Sequence, residues 1–136
     1  MIAQLSQGTV AAPTILIVDD SPTIRRLARA FLADLGFTFI EAADGLLALA
    51  VVRVQPVDLV VADLRMPNLD GMGLLKAIRA DLDEKLKHVP VVLLTMESDQ
   101  AVAHAALDAG ASAFLTKPVT PEALREVVQR LLSSAK

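Results

Sequence analysis

From Thr14 onward, short runs of Val, Ile and Leu alternate with longer segments whose apolar residues recur at helical spacing, and this rhythm limits the possible folds more than any other feature. The expected strands are Thr14–Asp19, Phe37–Glu41, Val57–Asp63, Pro90–Thr95 and Ser112–Leu115. Each is short and nearly continuous in apolar character, as suits strands covered on both faces. Ile24, Leu27, Ala28, Phe31, Leu32 and Leu35 trace one helix by their i, i+3, i+4, i+7 spacing, and Leu124, Val127, Val128 and Leu131 trace the last. Ser21-Pro22 and Thr120-Pro121 mark their starts, each a capping hydroxyl before a proline whose missing N–H costs nothing at the first helical position. Asp44 caps a helix over Gly45–Val54, Leu74, Leu75, Ile78 and Leu82 place another over roughly Gly71–Asp81, and Ser98–Ala109 forms a fifth whose apolar face is mostly alanine. Five strands alternating with five helices predict an α/β fold with a doubly wound, five-stranded parallel sheet of order 2-1-3-4-5 between two helical layers.

At 136 residues the chain suits one domain. The expected division is a flexible N-terminal tail at 1–13, a domain at 14–133 and a short C-terminal tail at 134–136. Although 54% of residues are hydrophobic, no apolar run approaches the roughly 20 residues that cross a bilayer, so no membrane insertion is expected. Residues 1–13 lack the charged and apolar parts of a signal peptide, and a cytoplasmic location is expected. A net charge of −3 gives no footprint for nucleic acid, and the absence of cysteine removes thiolate metal sites. Arg25, Arg26 and Arg29 form one local basic cluster, read as a solvated helix face.

In a sheet of this order, ligands bind at the carboxyl ends of the strands beside the switch point between the first and third. Polar residues gather there. The first strand ends in Asp19-Asp20, the third in Asp63 and the fourth in Thr95, and Lys117 follows the fifth. Three neighbouring carboxylates repel one another unless a cation lies among them. With oxygen ligands only, Mg²⁺ fits better than Ca²⁺ or Zn²⁺. Lys117 and the Thr95 hydroxyl add a positive charge and a donor, so the rim suits a phosphoryl group.

Val18-Asp19-Asp20-Ser21, Asp63-x-x-Met66-Pro67-x-x-Asp70-Gly71, Thr95 and Phe114-Leu115-Thr116-Lys117-Pro118 together resemble the response-regulator receiver domains, including the stand-alone CheY-like proteins. The resemblance covers about residues 14–133 and implies a flavodoxin-like fold. It implies that Asp63 accepts a phosphoryl group from a sensor histidine kinase or a histidine phosphotransfer protein. Asp20, Asp63 and the Arg65 backbone carbonyl would hold Mg²⁺, with Asp19 acting mainly through water. Lys117 and Thr95 would contact phosphoryl oxygens, Thr95 and Phe114 would move inward together as the switch, and Lys117-Pro118 would be a cis junction. The implied output is a downstream protein bound through the 98–132 face of a monomer or weak dimer. A chain ending with its last helix would carry no effector domain of its own.

One position departs from the resemblance: a small residue usually follows the switch threonine, and Met96 stands here. Met96 is expected to hinder small phosphodonors and hydrolytic water, with Arg65 and Glu97 pairing across the site to add to the shielding. Two other functions remain open at this point. A receiver that docks without phosphorylation would fit Met96. A phosphohydrolase with an aspartyl nucleophile would share Asp63 and Mg²⁺, but it usually has a second acid where Arg65 stands. His88 and His104 are read as surface or helix residues, and Phe31, Phe37 and Phe39 as packing.

Overall fold

The computed structural model describes residues 12–134. Its strands are β1 (Thr14–Val18), β2 (Thr38–Ala42), β3 (Leu59–Asp63), β4 (Val91–Thr95) and β5 (Ala113–Thr116). All neighbours pair in parallel, in the order β2-β1-β3-β4-β5. The helices are α1 (Pro22–Leu32), α2 (Gly45–Val54), α3 (Gly71–Arg79), α4 (Glu84–Lys87), α5 (Gln100–Asp108) and α6 (Pro121–Ser134), with single 3₁₀ turns at Ala33–Leu35 and Glu97–Asp99. Apart from Ala12, Pro13 and Ser134, the two expected tails lie outside the described residues.

Successive strand residues point to opposite faces, and the two layers of the core follow from that alternation. Ile15, Ile17, Leu59, Val61, Val92 and Leu94 pack with Ala28, Leu32, Leu124, Val127 and Val128 beneath α1 and α6. Leu16, Val18, Val60, Ala62, Val91 and Leu93 face the other way, against Ala48, Val52, Leu74, Leu75, Ile78 and Ala106 of α2, α3 and α5. Every residue of β3 and β4 is buried, which is why their sequences read as unbroken apolar runs. The edge strand β2 is covered less completely.

The expected caps form. Ser21 Oγ accepts from the Ile24 amide at 3.3 Å, Asp44 from Leu47 at 2.8 Å, and Thr120 from Ala123 at 3.1 Å. Asp70 likewise caps α3 through the Gly73 amide at 2.8 Å. Two features differ from the periodicity. The third helix stops at Arg79, so Leu82 lies outside it, 97% exposed and not on its apolar face, and Asp83 then caps the separate short helix α4. The stretch expected as one helix from Ser98 begins instead with the Glu97–Asp99 turn. Of α5 only Ala103 and Ala106 are buried, so this helix adds little apolar area to the core.

Candidate phosphorylation site

The register of the central strands brings the acids together. Val18 pairs with Ala62 across the β1–β3 boundary, so the next residues, Asp19 and Asp63, reach the carboxyl rim side by side. Carboxylate oxygens of Asp19, Asp20 and Asp63 lie within 4.8 Å of one another. Asp19 is 2% exposed and Asp63 7%, whereas Asp20 faces solvent. Lys117 Nζ lies 3.1 Å from Asp63 Oδ1, and the Lys117 amide donates to the Thr95 carbonyl at 2.7 Å, which ties the β5 end to the β4 end. The Lys117–Pro118 peptide is cis.

Asp19 is the electrostatically costly member. Its Oδ1 accepts from the Ser21 amide at 2.9 Å, but its buried Oδ2 has no hydrogen-bond partner. Burial, with the Asp63 and Asp20 charges adding to it, pushes the Asp19 carboxyl up to about 6 against the pull of the Ser21 amide and Lys117. An orphaned buried carboxylate oxygen facing two more carboxylates is an arrangement that a hard divalent cation or its water shell satisfies. The oxygen-only donor set fits Mg²⁺.

The surrounding loops hold this cluster in place. Arg25 donates to the Asp19 carbonyl at 2.5 Å and to Glu41 at 2.8 Å, which fixes the β1–α1 turn. Arg29 also pairs with Glu41, at 2.7 Å, and its guanidinium lies over the Phe39 ring. The basic cluster is therefore largely internal structure, and only Arg26 resembles the solvated face expected of it. On the other side, Asp44 Oδ2 accepts from Asn68 Nδ2 at 2.7 Å, and the Gly45 amide donates to the Leu69 carbonyl at 3.0 Å. Asn68 adopts a positive φ of 69°, which asparagine tolerates better than most residues. Together these contacts clamp the β3–α3 loop to the start of α2.

Thr95 is 1% exposed, and its hydroxyl donates to the Leu115 carbonyl over a long 3.5 Å. Phe114 is half-buried on β5 and meets the His104 ring edge-on, with centroids 5.3 Å apart. Met96, which follows Thr95 at the end of β4, is 53% exposed. The expected pairing of Arg65 with Glu97 does not form. Arg65 instead grips Asp99 with two hydrogen bonds, Nη2 to Oδ1 at 2.6 Å and Nε to Oδ2 at 3.2 Å, because the 3₁₀ turn carries Asp99 inward and leaves Glu97 in solvent. The Arg65 guanidinium holds the Asp99 carboxyl below its usual range. Sequence reading missed Asp99, Arg25 and Asn68. Arg25 lies four residues after the Asp19-Asp20-Ser21 turn and so had a positional signal, whereas the other two depend on loop geometry that periodicity does not encode.

The sequence matches the family model "Response regulator receiver domain" over residues 15–129. The chemotaxis protein CheY of Pseudomonas aeruginosa is 42% identical over 118 residues, which span 86% of this chain and 94% of the relative. Among solved structures, the receiver domain of a signal transduction histidine kinase from Syntrophus aciditrophicus superposes with a TM-score of 0.84 at 35% identity, covering 92% of this chain and 93% of that one. The receiver domain of a sensor histidine kinase from Pseudomonas aeruginosa, with magnesium coordinated in its active site cleft, gives 0.80 at 32% identity over 90% and 99%. The acidic rim is accordingly a phosphorylatable aspartate site of phosphorelay signalling, in a signalling domain and not a turnover enzyme. Because the family match runs from the first strand into the last helix and takes in every strand end of the rim, the chain belongs to the response regulator receiver domains.

Proposed function

We propose that Asp63 is the phosphoacceptor and that the domain signals by switching a protein-binding surface when Asp63 is modified. The observation that carries this reading is the Asp63 carboxylate, buried at the switch point with Lys117 Nζ at 3.1 Å and the Asp19 and Asp20 oxygens beside it. One Asp63 oxygen attacks the phosphorus of a phosphohistidine on a sensor kinase or phosphotransfer protein, the P–N bond breaks, and the imidazole leaves with its electron pair. Asp20, Asp63 and the Arg65 carbonyl would hold Mg²⁺, with Asp19 reaching it through water, and the ion when bound neutralises charge on the transferring group.

Lys117 neutralises one phosphoryl oxygen, and Thr95 exchanges its long bond to Leu115 for another. That movement vacates space beside β5 into which Phe114 turns, leaving His104. Phe114 has no hydroxyl, so its inward position gains apolar burial alone. A downstream protein reads the change on the 98–132 face. Met96, with Arg65 and Glu97, slows small donors and water, which favours delivery of the phosphoryl group by a protein. An apolar groove lined by Ile24, Leu27, Phe31, Pro118 and Val119 opens beside Lys117 and suits such a donor protein.

Fluorine NMR of the protein with beryllofluoride and Mg²⁺ tests the assignment. The wild type gives a bound fluorine resonance and shifted amides at Thr95 and Phe114, and Asp63→Asn gives neither. A bound resonance that persists in Asp63→Asn rejects Asp63 as the acceptor.

A further inference from the structure

Arg65 and Asp99 form the one side-chain ion pair that joins the β3–α3 loop to the start of α5 among the described residues. A ring of contacts closes around the acceptor through this pair. From Asp63 it passes along the chain to Arg65, across to Asp99 and on to the neighbouring Gln100, whose side chain donates to Thr116 Oγ1 at 3.2 Å and to the Met96 carbonyl at 3.3 Å. Thr116 adjoins Lys117, and Lys117 returns to Asp63. The Arg65 side chain is 59% exposed while that of Asp99 is 11% exposed, so the arginine is the mobile partner and the acid the fixed one.

Two physical facts make this pair conditional on the state of Asp63. First, a carboxylate carries one negative charge and a phosphorylated residue about two, so modification adds charge to a site whose lysine is already engaged. Arg65 is rooted two residues from Asp63, with its own amide 3.4 Å from Asp63 Oδ1, and a guanidinium fork matches phosphoryl oxygens as well as it matches a carboxylate. Second, an ion pair with one half-exposed partner contributes little net stability, so a stronger anion nearby takes the arginine at small cost. What Asp99 loses is its tether, and α5 has only Ala103 and Ala106 in the core to hold it.

Resting on the reading of Asp63 above, we propose that Arg65 is a shared cationic ligand, held by Asp99 in the unmodified protein and transferred to the phosphoryl group on modification, which unclasps the Glu97–Asp99 turn and frees the start of α5. Asp99 thus competes internally for Arg65, and the β4–α5 segment that carries Met96 loosens as the site fills.

Beryllofluoride with Mg²⁺ is the probe, read by its affinity and by amide hydrogen exchange at residues 97–101. In the wild type, exchange at 97–101 accelerates on binding. Asp99→Asn shows the faster exchange without ligand and binds beryllofluoride about fivefold more tightly, the ratio equivalent to ~1 kcal/mol. Arg65→Gln also shows the faster exchange without ligand but binds more weakly. A merely structural pair would move both affinities in the same direction. The double variant separates transfer from a simple field effect. In the Arg65→Gln background, Asp99→Asn no longer tightens binding if Asp99 acts by holding Arg65. Equal tightening in both backgrounds, or unaltered exchange at 97–101 in a wild type that binds beryllofluoride, overturns the proposal. A wild type that binds no beryllofluoride overturns the reading of Asp63 itself, and this inference falls with it.

Discussion

Asp19 sets the pH behaviour of the site. Its carboxyl titrates near 6 in the folded chain, above the 3.8 of an ordinary aspartate. Between those two values the folded state holds a proton that the unfolded chain has released. Without metal, its contribution to stability therefore falls as pH rises from about 4 through 6. A cation bound to the ionised cluster reverses that penalty. Thermal melts should show Mg²⁺ raising Tm clearly at pH 7.5 and far less at pH 5, where Asp19 is protonated. Asp19→Asn should raise the metal-free Tm at pH 7.5 and abolish most of the response to Mg²⁺. An equal Mg²⁺ response at both pH values would contradict this role. At the same scale, Met96→Ala should shorten the lifetime of the phosphorylated form, measured by decay after removal of the donor. An unchanged lifetime would leave the exposed Met96 side chain without the shielding role.

Among the elements, the β3–α3 loop depends most on a single backbone approach. A Cβ on Gly45 would stand 2.2 Å from the Leu69 carbonyl oxygen, which is backbone and cannot swing aside. Gly45→Ala should therefore cost about 1–3 kcal/mol in a urea melt and slow phosphorylation, since the displaced loop carries Arg65. Leu46→Ala, one residue along at a position 54% exposed, should lie within ~0.5 kcal/mol of wild type and serves as the control. Helix starts were legible in the sequence where a capping side chain preceded a long apolar period, as at Ser21, Asp44 and Thr120. The Gly45–Val54 helix was bounded correctly at both ends. Helix α4 was not legible, because four residues contain a single turn and no apolar period. The partner of Arg65 was also misassigned: the expectation named Glu97, but the 3₁₀ turn places Asp99 inward and Glu97 in solvent.

For the whole molecule, the order of the sheet followed from the βα rhythm, since right-handed crossovers leave few arrangements. The rim of polar residues followed from that order and from the register of Val18 with Ala62. Strand ends were therefore informative: Asp19, Asp63, Thr95 and Lys117 all stand where a parallel sheet of this topology puts them. Loops were not, because their contacts join residues far apart in sequence, as Asp44 joins Asn68. In the proposed signalling role, Asp63 is the residue that carries the phosphoryl group. Mass analysis of the intact chain and its peptides, after several hours with Mg²⁺ and excess acetyl phosphate, tests that claim most directly. One phosphoryl group on the peptide containing Asp63, absent from Asp63→Asn, is the predicted result. No adduct in the wild type, or an adduct retained in Asp63→Asn, would contradict it.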